Sequence, residues 1–114
     1  MITIFGIPNC DKCRAARRWF EQNGIDHQFH DFRKDGLTEK LAREWLSALG
    51  QGELINKRSK TWRELSASLP ESISDSKMAQ LLTEHPTLIK RPLVDARGRL
   101  VVGYDEDRWQ QLNT

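Results

Sequence analysis

The chain's only two cysteines, Cys10 and Cys13, stand three positions apart in "IPNCDKCRAARRWF". The thiolate, not the thiol, is the nucleophile, and a free cysteine is only a few per cent ionised at neutral pH. A reactive pair therefore needs a local cause for ionisation. A helix N-terminus supplies one, because its unsatisfied N–H groups and partial positive charge stabilise an anion placed on them. Lys12 and Arg14 stand close to Cys10 and would add cationic support. Cys13 follows one helical turn onward, within reach of the Cys10 sulfur. That spacing suits a division of labour in which Cys10 attacks and Cys13 displaces the product, leaving an intramolecular disulfide. The competing reading makes both thiols small apolar residues of the core.

Three other groups carry possible chemistry. In "LIKRPLV", Arg91 offers a bidentate fork to a carboxylate or oxyanion, and Pro92 opens a strand where a cis bond would mark a special turn; the alternative is an Arg-Pro pair on the surface. In "NKRSKTWR", Lys57, Arg58, Lys60 and Arg63 form a basic group whose plainer reading is a solvated face. The sequence "CDKC" with "HQFH" has nearly the spacing of a zinc finger. His27 and His30, however, lie an odd number apart on a predicted strand and point to opposite faces, so no metal site is expected. His85, beside Pro86, reads as helix-end punctuation.

The elements that must position the thiols follow from periodicity. "MITIFG" alternates like a strand and feeds a turn that holds Cys10. Residues 12–23 place Cys13, Ala16, Trp19 and Phe20 on one helical stripe, with Gly24 as the stop. "IDHQFHDF" predicts a second strand, ended by the turn "RKDG". Residues 37–49 predict a helix capped by Thr38 and stopped by Gly50, with Trp45 and Leu46 on its apolar stripe. "TWRELSASL" predicts a short helix, and "SDSKMAQLLTEH" a longer one capped by Ser74 or Asp75 and ended by Pro86. Two strands joined by "DARG" and a closing helix in "DEDRWQQL" complete the chain. The order β-α-β, helices, β-β-α predicts an α/β fold, a small mixed sheet flanked by helices.

Composition sets outer limits. A chain of 114 residues with 38% hydrophobic and 30% charged residues fits one globular domain over 1–114 and excludes a disordered or disulfide-dense class. A net charge of +2 is far from the basic stripe of a nucleic-acid binder, which leaves small anions as the expected partners. No apolar run approaches the roughly 20 residues of a membrane span, and no charged leader precedes an apolar stretch. The expected location is the cytoplasm, the expected state a monomer. There a close cysteine pair speaks for redox chemistry rather than a structural disulfide.

Taken in order, "GIPNCDKCRAARRWF", "FHDFRKDGL", "LINKRSKTWREL" and "IKRPLVDARGRLVVGY" resemble the ArsC/Spx family of thioredoxin-like proteins, most closely its YffB branch. The resemblance implies a thioredoxin-like fold with a four-stranded sheet and a helical insertion, at about 35–86, between the second and third strands. It also implies that Cys10 is the reactive cysteine and that Arg91 and cis-Pro92 face it. Cys10, Cys13 and Arg91 are then the expected catalytic set, and Asn9, Lys12, Arg14, Arg58 and Pro92 the expected substrate-binding set. In the arsenate reductases of the family, coupled to glutaredoxin, three arginines hold the oxyanion; Asn56 and Gly103 stand here in place of two of them. The C-x-x-C resembles Spx regulators, in which the pair is a redox switch on a protein that binds the C-terminal domain of the RNA polymerase alpha subunit. The first expectation is a thiol reductase with glutathione as co-substrate and no tightly bound cofactor. The alternatives are an Spx-like regulator and an arsenate reductase.

Overall fold

The computed structural model describes residues 1–112. Four strands form one mixed sheet: β1 (Ile2–Gly6), β2 (His27–Asp31), β3 (Leu93–Ala96) and β4 (Arg99–Val102), in the order β2-β1-β3-β4. β1 runs parallel to β2 and antiparallel to β3, and β4 completes a hairpin with β3. Helix α1 (Asp11–Gln22) makes the crossover from β1 to β2, and α7 (Glu106–Leu112) follows β4. This is the thioredoxin-like topology that the resemblance implied, with its helical insertion between β2 and β3.

Local sequence explains why these pieces begin and end where they do. α1 closes in a Schellman motif: the Gly24 N–H donates to Glu21 O and the Ile25 N–H to Phe20 O, at 3.1 and 3.0 Å, with Gly24 at a φ of +65°. The β3–β4 turn sets Arg97 and Gly98 at positive φ, as two-residue hairpins require, and Asp95 Oδ1 accepts the Gly98 N–H at 2.8 Å.

The chain divides into two compact units, one made of Met1–Asp35 with the chain from Arg91 onward, the other of Gly36–Lys90. In the first, Ile4, Ala16, Phe20, Val94, Val101 and Trp109 form a buried cluster on one face of the sheet. Trp109 is fully buried, its ring 5.3 Å from Phe20 and 5.4 Å from Trp19. Trp19 itself is only partly buried, packed at the cluster's margin.

The second unit is helical: α3 (Glu39–Leu49), α4 (Gln51–Leu54), α5 (Lys60–Ser66), α6 (Asp75–Glu84) and a 3₁₀ turn over Pro86–Leu88. The side chains of Thr38, Ser59 and Ser74 cap α3, α5 and α6 by accepting backbone N–H groups. Trp45 and Leu46 of α3 are buried, as are Met78 and Leu82 of α6, the helix against which α3 packs. Within the unit, the Lys90 N–H donates to Leu54 O at 3.0 Å.

Two details differ from the sequence expectation. The predicted turn "RKDG" is a helical turn, α2 (Phe32–Asp35). Asp31 Oδ1 accepts the Arg33 N–H at 2.9 Å while Asp35 Oδ2 accepts the Asp31 N–H at 3.1 Å, so two carboxylates tie the segment to itself, and Phe32 is buried. Gly50 ends α3 and also begins the unforeseen α4. Among the described residues, no helix is long and apolar enough to cross a membrane.

Candidate active site

β1 runs out at Gly6, and Ile7, Pro8 and Asn9 turn the chain into α1. Cys10 is the N-cap residue, extended at φ −98° and ψ 125°, and its carbonyl accepts the Arg14 N–H at 2.9 Å. The sulfur therefore sits where the helix has unspent N–H donors. Cys13, in the first turn of α1, is buried, whereas Cys10 is part-exposed, and the two are unbridged thiols.

The second wall comes from the far end of the sequence. The antiparallel register sets Phe5 opposite Leu93, so the residues after β1 and those before β3 emerge at one end of the sheet. Arg91 and Pro92 are joined there by a cis peptide bond, and the Pro92 carbonyl accepts the Gly103 N–H at 2.8 Å.

These groups act on the two thiols in opposite senses. Partial burial by itself would raise the Cys10 pKa. The Cys13 N–H, the Cys13 thiol, the Arg91 guanidinium and the Lys12 N–H outweigh it and hold Cys10 below the ordinary thiol value. Cys13 is pushed up to about 11, chiefly by burial. The Ile7 N–H and the charge of Arg91 oppose that rise, while the hydrogen bond and charge of Cys10 add to it. One thiol is thus readied for ionisation and its neighbour held protonated.

Of the residues expected at the site, Asn9, Cys10, Lys12, Cys13, Arg14, Arg91 and Pro92 belong to the first unit. What Lys12 brings to Cys10 is its backbone N–H, and its side chain is exposed. Arg14 is half-exposed and paired with Asp11. Among the described residues, the cation whose side chain lowers the Cys10 pKa is Arg91. Asn9 is exposed beside the nucleophile. Arg58 belongs to the second unit, exposed, its N–H donated to Asn56 Oδ1 at 3.2 Å. Ile7 escaped the sequence reading because its contribution is a backbone N–H, which its side chain does not announce. His27 and His30 both lie on β2, their rings near Phe20 and Phe5 respectively. Among the described residues, no three His, Cys, Asp or Glu side chains are placed to hold a metal ion.

Comparisons with known proteins fit this geometry. Residues 5–112 match the model of the ArsC family. An uncharacterized protein of Haemophilus influenzae is 38% identical over 110 residues, covering 96% of each chain. The global transcriptional regulator Spx 1 of Bacillus cereus is 34% identical over 109 residues, covering 94% of this chain and 82% of its own. The solved structure of a YffB protein is 26% identical and superimposes with a TM-score of 0.92 over the whole of both chains.

Proposed function

We propose that this chain, which belongs to the ArsC family, is a cytoplasmic thiol–disulfide oxidoreductase that draws its electrons from glutathione. The observation that carries the reading is the contrast between the two thiols, Cys10 lowered and Cys13 pushed up to about 11. Such a contrast orders the two steps of exchange.

Cys10 thiolate attacks one sulfur of a disulfide substrate, forming a mixed disulfide and releasing the other sulfur as a thiolate. The Cys10 charge and hydrogen bond, two of the causes that kept Cys13 protonated, disappear at that moment. The Ile7 N–H and Arg91 remain to favour the Cys13 anion against its burial. Cys13 then gives up its proton, which the first product thiolate takes up through solvent, and attacks the Cys10 sulfur, expelling the second product thiolate, which is protonated from solvent, and leaving the Cys10–Cys13 disulfide. Two glutathione molecules return the pair to dithiols and leave as glutathione disulfide. Arg91 receives an anionic group such as a glutathione carboxylate, a role suited to its planar fork.

Equilibration in glutathione buffers of stepped potential, followed by acid quenching and peptide mass mapping, tests the reading. The expected species are a glutathione adduct on Cys10 and a Cys10–Cys13 disulfide at cytosolic potentials. Cys10→Ser should abolish turnover, and Cys13→Ser should accumulate the adduct on Cys10. Full activity of Cys10→Ser would overturn the reading. Arsenate-dependent oxidation of glutathione is expected to be absent, since a multiply charged oxyanion needs several fixed cations, and Asn56 and Gly103 stand where two would be.

The 34% identity to an Spx regulator favours a second reading, a redox-gated regulator without turnover. Retention of the RNA polymerase alpha subunit's C-terminal domain in a pull-down, with no glutathione turnover, would replace the first reading with this one.

A further inference from the structure

Gly6, the last residue of β1, is buried and pairs with Asp31 of β2. Its φ lies outside the left-handed region, so the backbone there does not call for glycine. A glycine inside a strand weakens it and marks a close approach by another group. The approaching group here is a sulfur: a Cβ built on residue 6 would overlap Cys13 Sγ, while meeting Cys13 Cβ at an ordinary 3.5 Å and the Phe29 ring at 3.7 Å. The collision is with one atom.

The geometry points to Gly6 as a positioning residue for thiol exchange, its missing side chain being the seat in which the Cys13 sulfur waits. This rests on the oxidoreductase reading for its chemical consequence, but not for the packing itself. In the seat, Cys13 is fully buried and reached by the Ile7 N–H, so a substrate disulfide meets only Cys10. Oxidation by glutathione disulfide bonds Cys13 Sγ to Cys10 Sγ, and the two electrons and two protons leave on two glutathione molecules. Closing that bond draws the sulfurs together and relieves the crowding a methyl group at residue 6 would cause. Such a methyl group therefore penalises the dithiol form more than the disulfide form.

The test is a double-mutant cycle with two readouts. In Gly6→Ala the equilibrium constant for oxidation by glutathione disulfide should rise about tenfold, a shift of about 30 mV toward a more reducing couple. Native Cys13 should also become open to alkylation. Under reducing conditions the loss of Tm caused by Gly6→Ala should largely vanish in a Cys13→Ala background, because the remaining contact at residue 13 is an ordinary one. If Gly6→Ala does not fold but the double variant does, the seat is equally supported. A couple within threefold of the unsubstituted chain or shifted the other way, or an equal loss of Tm or failure to fold in both backgrounds, overturns the proposal. If the unsubstituted chain does not exchange with glutathione at all, the oxidoreductase reading fails, and the thermal cycle still judges the seat.

Discussion

At the scale of single residues, the working asymmetry comes from what surrounds two identical side chains. Arg91 favours the Cys10 anion, so Arg91→Ala should raise the Cys10 pKa and slow its alkylation by iodoacetamide several-fold at neutral pH, the deficit closing as pH rises. Rates followed from pH 5 to pH 10 would check this, and an unchanged profile would remove Arg91 from the site. Linkage gives a second test. Cys13 holds its proton more tightly folded than unfolded, so its contribution to stability is complete below the ordinary thiol pKa and is lost as pH climbs through about 11. Cys10, with its folded pKa lowered, has the opposite sign: its contribution stands above the ordinary thiol pKa and is lost as pH falls through the folded value. Cys13→Ala should therefore flatten the alkaline arm of a urea-denaturation series on the reduced protein. Both cysteines were legible in the sequence, since only their residue type supplies a thiolate. Residue spacing alone placed Lys12 and Arg14 nearest Cys10, and only the family resemblance put Arg91 opposite it, because Arg91 reaches the site through the fold, just ahead of β3.

At the scale of elements, caps and stripes decide the boundaries. Thr38 accepts the Leu41 N–H at 3.2 Å, and Thr38→Ala should cost about 1 kcal/mol of unfolding free energy, measured by urea titration. Trp109 anchors α7 on the sheet: Trp109→Ala should cost about 3–5 kcal/mol, and a loss below 1 kcal/mol would mean that α7 contributes little to the core. Longer elements were legible because 3.6-residue and two-residue periods need several repeats to stand out. The four-residue pieces α2 and α4 hold barely one turn and show no period. What makes α2 a helix is a pair of carboxylate hydrogen bonds, from Asp31 and Asp35, which a propensity reading takes for turn chemistry.

At the scale of the whole molecule, the sheet gathers the site from both ends of the chain. β3 lies beside β1 although residues 36–90 separate it from the first unit's opening segment, and β1 carries the turn to Cys10 while β3 begins just after Arg91. A chain cut after Lys90 keeps both cysteines and loses Arg91 and two strands; its Cys10 should alkylate at neutral pH no faster than a free thiol, measured against glutathione. The order of strands was legible only as a class, because a mixed sheet can be inferred from β-α-β and β-β-α blocks while the β1–β3 pairing is a long-range fact. That pairing also has a timetable. Roughly 80 residues separate Cys10 from Arg91, and at synthesis rates of about 5–20 residues per second the first emerges roughly 4–16 s before the second. A lone α1 is too short to hold its turns in water, so throughout that interval the nascent cysteines are ordinary thiols. The growing chain therefore carries no readied nucleophile until its last strands are made.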